Sequence, residues 1–146
     1  MKWVLKFFRL SGRDRSFLIK TYVLLTLVRL GLWLFPFEKL WKALVRLGRY
    51  RNQNAPLRIG PIVHRAIWAV NWSSKLTPGG AKCLARALTV KVLLDRNQCP
   101  ADFKIGVAKN SAGKFEAHAW IEVEGTVIIG QLQNLEQFTP MPSLPT

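Results

Sequence analysis

Thr77-Pro78-Gly79-Gly80-Ala81-Lys82-Cys83-Leu84-Ala85-Arg86-Ala87-Leu88-Thr89-Val90-Lys91-Val92-Leu93-Leu94-Asp95-Arg96-Asn97 is the stretch that decides how this chain folds. It opens with a loop punctuated by proline and two glycines. It continues into a run whose apolar residues recur at helical spacing. At 100° per residue, Cys83, Ala87, Val90 and Leu94 share one sector and Leu84, Leu88 and Val92 the next, while Lys82, Arg86 and Thr89 face the other way. The pattern predicts a largely buried helix over 81–97, with Cys83 in its first turn on a buried side.

Beyond Pro100 the period changes to two. Phe103, Ile105 and Val107 alternate with Lys104, Gly106 and Ala108, and a turn over 110–113 follows. Phe115, Ala117, Ala119, Ile121 and Val123 then make one face of a strand, and Glu116, His118, Trp120, Glu122 and Glu124 the other. Glu124-Gly125 resembles a two-residue hairpin turn, with a return strand over 126–132. The tail over 133–146, with Pro140, Pro142 and Pro145, should run over the surface. Upstream, Ser16 could cap a helix over 17–35, ended by Pro36. A short amphipathic helix over 37–47 follows, with Lys39, Lys42 and Arg46 on its wet side and Gly48 at its close. Residues 51–60 read as a polar linker, 61–72 as a helix and 73–80 as a loop. The order predicts an α+β fold, one compact domain overall. It has a helical region over 1–50 and a core over 61–146, in which the Cys83 helix packs on a small antiparallel sheet.

The length of 146 residues suits one domain, and 49% hydrophobic residues exclude a wholly disordered chain. The formal net charge is +14, and it is lopsided. Residues 1–58 hold 13 basic and 2 acidic side chains, and residues 59–146 hold 9 and 6. An anionic surface or an acidic partner is therefore expected at the N-terminal third. Nucleic acid is not the expected partner: the six tryptophans are scattered and no nucleic-acid-binding motif occurs. Cys83 and Cys99 with His64 and His118 supply a metal site poorly, so no metal or other cofactor is expected. Nothing else in the chain looks secreted, which favours reduced thiols in a cytoplasmic protein. The apolar run over 22–37 carries Arg29 at its middle, at a cost of about 2.5–3.5 kcal/mol for a spanning helix. A buried or interface-lying helix is the reading, with membrane association left open.

The chemistry lies in Cys83 and His118. A helix N-terminus favours thiolate over thiol, and an imidazole nearby serves as base and then as acid to a leaving amine. Backbone N–H groups at the helix start, that of Cys83 included, could hold an oxyanion. This is the recipe of a papain- or transglutaminase-like acyl-transfer site. The plain alternative is a small buried hydrophobe and a hydrogen-bonded strand histidine. Cys99 and His64 take that plain reading.

The run Gly80-Ala81-Lys82-Cys83-Leu84-Ala85-Arg86-Ala87-Leu88, then Leu93-Leu94, then Phe115-Glu116-Ala117-His118-Ala119-Trp120-Ile121-Glu122-Val123-Glu124-Gly125, resembles the protease half of the lasso-peptide biosynthesis B proteins, of the transglutaminase-like superfamily. Arg13-Asp14-Arg15-Ser16-Phe17-Leu18 and Leu34-Phe35-Pro36-Phe37 resemble the same family's opening. The resemblance implies a cysteine peptidase that removes the leader from a ribosomally made precursor peptide. It also implies two partners, a separate leader-binding protein and an asparagine synthetase-like cyclase. The family's third site residue is an aspartate twelve positions after the histidine, and here that position is Gly130. With a two-residue turn at Glu124-Gly125, His118 would instead face Gln131, whose amide could accept from the imidazole. Glu122, or a Cys–His dyad alone, are the other possibilities. Trp120 would line a substrate pocket or shield the pair. Lys82 and Arg86, beside the cysteine, would draw an acidic leader. A decayed site would leave a different protein: a non-catalytic basic adaptor in a peptide-maturation complex or at a membrane surface.

Overall fold

Five helices precede an antiparallel sheet in the computed structural model, which describes residues 2–49 and 59–142. The helices are α1 (Lys2–Phe8), α2 (Gly12–Leu34), α3 (Phe37–Gly48), α4 (Ile59–Leu76) and α5 (Cys83–Arg96). The strands are β1 (Asp102–Lys109), β2 (Phe115–Val123), β3 (Thr126–Ile129) and β4 (Thr139–Pro140), in the sheet order β3-β2-β1-β4. The α+β architecture is the expected one.

Helix α5 is the hub because it is apolar on nearly every side. Ala87, Val90 and Leu94 pack with Ala66 and Val70 of α4 and with Ala119, Ile121 and Val123 of β2. Its other side, Ala85, Leu88 and Val92, packs with Leu25 and Val28 of α2 and with Leu40, Trp41 and Leu44 of α3. Even Thr89, expected to face outward, is buried, and its hydroxyl donates to the Ala85 carbonyl at 2.7 Å. The backbone bond lets a β-branched polar residue occupy the core.

Several boundaries differ from the expectation. Helix α2 starts earlier than Ser16, because Ser11 caps it: the Ser11 hydroxyl accepts from the Asp14 N–H at 3.2 Å. Helix α4 begins at Ile59 and runs to Leu76, beyond both ends of the expected 61–72. Of the expected linker over 51–60, residues 51–58 lie outside the described residues, and Ile59 and Gly60 belong to α4. The tail is also more than a surface run. Phe138 is buried, Thr139–Pro140 form β4, and the Met141 N–H donates to the Ile105 carbonyl at 2.7 Å.

The β2–β3 hairpin carries the correction that matters most for the site. Glu124 and Gly125 both have positive φ, 51° and 78°, as a tight two-residue hairpin turn demands. Val123 pairs with Thr126 and Glu122 with Val127, as a uniform register requires. Ile121 then pairs with Ile129, leaving Ile128 as a bulge. The strand ends at that pair, so Gln131 lies past β3 and does not pair with His118 as expected.

Candidate active site

Cys83 is the first residue of α5, delivered there by a loop that needs its glycines. Gly79 and Gly80 have φ of 75° and 70°, a conformation that L side chains rarely adopt. The Gly80 N–H donates to the Thr77 carbonyl at 2.9 Å, and the buried Thr77 hydroxyl donates to the Ser73 carbonyl at 2.7 Å. This ties the loop to the end of α4 and fixes where α5 begins. Lys82, the N-cap residue, offers no side-chain acceptor to the first turn. The first N–H groups of α5 are therefore left for another acceptor, beside a half-buried sulfur.

Cys83 and His118 line one cleft of about 440 Å³, together with Ile67, Asn71, Arg86 and Gln131. No hydrogen bond joins the sulfur to the imidazole among the described residues. The imidazole is held at one nitrogen: Nε2 donates to the Gly130 carbonyl oxygen at 2.6 Å. That bond fixes the neutral tautomer, leaving Nδ1 as the ring's basic nitrogen. The ring lies 6.3 Å from the Trp120 ring at 17° and 5.7 Å from that of Phe138 at 53°.

Gly130 occupies a position that a side chain does not fit, and it supplies the carbonyl that holds the histidine. Its φ is +87°, and a Cβ added to it would lie 2.6 Å from the Ala119 carbonyl oxygen and 2.8 Å from the Trp120 Cβ. An aspartate does not fit at this backbone position, and the main-chain oxygen stands where the expected third side chain would act. Gln131 lines the cleft, but its amide nitrogen donates to the Leu132 carbonyl at 3.3 Å, away from the histidine.

Trp120 is buried at 3% exposure, on the sheet face opposite the α5 core. Gly106 makes room for it, since a Cβ there would meet the indole ring at 2.8 Å. Its indole N–H donates to Glu122 Oε1 at 2.9 Å, and Lys104 Nζ donates to Glu122 Oε2 at 2.8 Å. Lys104 first, and then the indole, hold the Glu122 carboxyl below its ordinary value of 4.5. Glu122 thus anchors Trp120 and has no bond to His118. Because its folded-state value is depressed, its contribution to stability is complete above the ordinary value. It is lost as pH falls through the lowered one. Lys104→Met should therefore flatten the acid side of a plot of melting temperature against pH. An unchanged acid side would contradict the assignment.

Trp120 also lines a second hollow of about 330 Å³, which shares Gln131 and Leu132 with the first. Lys82 is exposed and does not line the cleft. Arg86 is half-buried, more enclosed than its expected outward position, and it donates to Asn71 Oδ1. Its Nε is buried without a partner. Asn71 escaped sequence reasoning because a polar residue inside an apolar helix carries no motif.

The second thiol differs in kind. Cys99 is 1% exposed, and burial, with lesser pushes from Glu124 and Asp95, raises its thiol. In the native protein, iodoacetamide should therefore label Cys83 and spare Cys99, and Cys83→Ala should take up label only after denaturation. Equal labelling of both thiols would remove the distinction.

A family model described as the transglutaminase-like superfamily matches residues 24–143. No curated protein and no solved structure matches the chain.

Proposed function

Because the chain belongs to the transglutaminase-like superfamily, we propose that it is a cysteine peptidase that removes the leader from a ribosomally made lasso-peptide precursor. One observation carries the reading. A cysteine at a helix N-terminus and a histidine whose Nε2 is held by the Gly130 carbonyl line the same cleft.

Chemically, the Cys83 thiol gives its proton to His118 Nδ1, and the thiolate attacks the scissile carbonyl carbon. The carbon–sulfur bond forms while the carbonyl π electrons move to oxygen. The N–H groups at the start of α5 receive that oxyanion. The amide nitrogen of Asn71, whose Oδ1 is taken by Arg86, is a second donor on the same wall. As the intermediate collapses, the carbon–nitrogen bond breaks and His118 protonates the departing amine, which is the new N-terminus of the core peptide. His118 then takes a proton from water, which attacks the thioester. The leader leaves as a carboxylic acid and the thiol is restored.

The peptide lies along the cleft and the adjoining hollow, with Trp120, Gln131 and Leu132 along its path. Arg86 supplies a fixed positive charge beside the nucleophile, and Lys82 one at the rim. In this reading a separate leader-binding protein presents the precursor, and an asparagine synthetase-like cyclase consumes the freed amine. The test is incubation of the chain with a lasso precursor and the leader-binding protein, followed by mass spectrometry. Separate leader and core masses are the expected result, and an intact precursor is the adverse one.

The second reading, a non-catalytic adaptor, is favoured by one observation: among the described residues no carboxylate bonds to His118. The adaptor would bind the precursor without cutting it.

A further inference from the structure

We propose that the outer face of α2, with α1 beside it in sequence, docks on an anionic lipid surface as an interfacial element. The proposal is independent of the peptidase reading. Helix α2 is the one helix among the described residues long and apolar enough to cross a membrane. Yet one of its faces is already used: Leu18, Leu25 and Val28 are at most 2% exposed within the protein's core. The helix cannot give up that face to lipid without opening the core, so it lies along a bilayer and does not pierce it.

The opposite face is apolar and uncovered. Ile19, Val23, Leu27, Leu30 and Leu34 recur every three or four residues and are between 46% and 60% exposed. At 1.5 Å per residue the stripe is about 22 Å long. Trp33, 81% exposed, and Phe35 stand at its C-terminal end, and α1 exposes Val4, Leu5 and Phe8. Helix α1 is braced on the body of the protein by Trp3, which meets Trp72 of α4 edge-on at 5.7 Å.

The charge around this surface decides between occupants. Residues 2–20 carry Lys2, Lys6, Arg9, Arg13, Arg15 and Lys20 against one carboxylate, Asp14. Asp14 is ion-paired to Arg65 of α4 at 3.2 Å. Cations of one sign around aliphatic and aromatic side chains are the signature of a helix lying at a lipid headgroup boundary. A second copy of this chain would bring the same cations to the rim and be repelled. Each cation near an anionic leaflet adds several-fold in affinity.

The experiment is co-sedimentation of the full chain with vesicles of mixed phosphatidylcholine and phosphatidylglycerol, and with vesicles of phosphatidylcholine alone. Binding to the mixed vesicles should be at least about tenfold tighter and should weaken as salt rises. The double variant Leu27→Glu/Leu30→Glu, at exposed positions, should lose about tenfold or more in binding with its circular dichroism unchanged. Should it misfold, Trp33→Ala is the second probe, with a smaller loss expected. Cys83→Ala should bind as the unaltered chain does, so loss of cleavage and loss of docking are read separately. Failure to bind anionic vesicles, or equal binding by the folded double variant, would overturn the proposal. So would a stable dimer, or a complex with the leader-binding protein, that seals this face and prevents vesicle binding.

Discussion

Cys83→Ala is expected to lower leader release by about a thousandfold or more while the far-ultraviolet circular dichroism stays unchanged. The size follows from the proposed role. Without the sulfur there is no acyl-enzyme, and only binding and the oxyanion donors remain to assist water. The fold should survive because Cys83 lines the cleft and is only half-buried, and deep packing of α5 begins at Ala85. His118→Ala should cost a comparable factor, and the double variant little more than either single one, because a nucleophile and its base act as a unit. Mass spectrometry of the precursor after incubation measures all three. Full cleavage by Cys83→Ala would end the peptidase account. If the inactive variant and the unaltered chain both bind precursor and neither cuts it, the adaptor reading holds.

The parts of the fold that were legible in the sequence are those governed by period. The helical spacing from Cys83 to Leu94 and the alternation from Phe115 to Val123 each follow from which residues must be hidden, so α5 and β2 were readable within a residue or two. The Glu124-Gly125 turn was equally plain, since it carries its own dihedral demand. What periodicity cannot express is a local departure from it. The bulge at Ile128 leaves no mark in a run of Val127, Ile128 and Ile129, because every member of that run is apolar. With that inserted residue the ladder ends at Ile129, so Gln131 lies past the strand, and the partner of His118 is the Gly130 main chain. A carbonyl oxygen is carried by every residue, and its role depends wholly on register. The burial of Phe138 escaped for a related reason: it is a single apolar residue in a proline-rich tail, and only the sheet edge formed by β1 gives it a place.

The absence of an aspartate after the histidine can therefore be tested as a substitution of parts. Gly130→Asp restores the residue that the family resemblance leads one to expect, and it should nevertheless harm the protein. The new Cβ would lie 2.6 Å from the Ala119 carbonyl oxygen, at a φ of +87°. The backbone conformation alone costs about 1–3 kcal/mol, which lowers the melting temperature by several degrees. Relief requires the strand end to move, and the carbonyl that holds His118 Nε2 moves with it. A displaced base costs on the order of a hundredfold in rate. Gly130→Ala separates the two contributions, since it brings the Cβ without a carboxylate. If both variants lose stability and rate together, and nitrogen-15 shifts show the His118 tautomer becoming mixed, the main-chain oxygen is the orienting group. A merely structural glycine would lower the melting temperature and leave the tautomer alone. If Gly130→Asp instead raises the rate, the strand end accommodates a side chain, the carboxylate is the better partner, and the carbonyl is incidental.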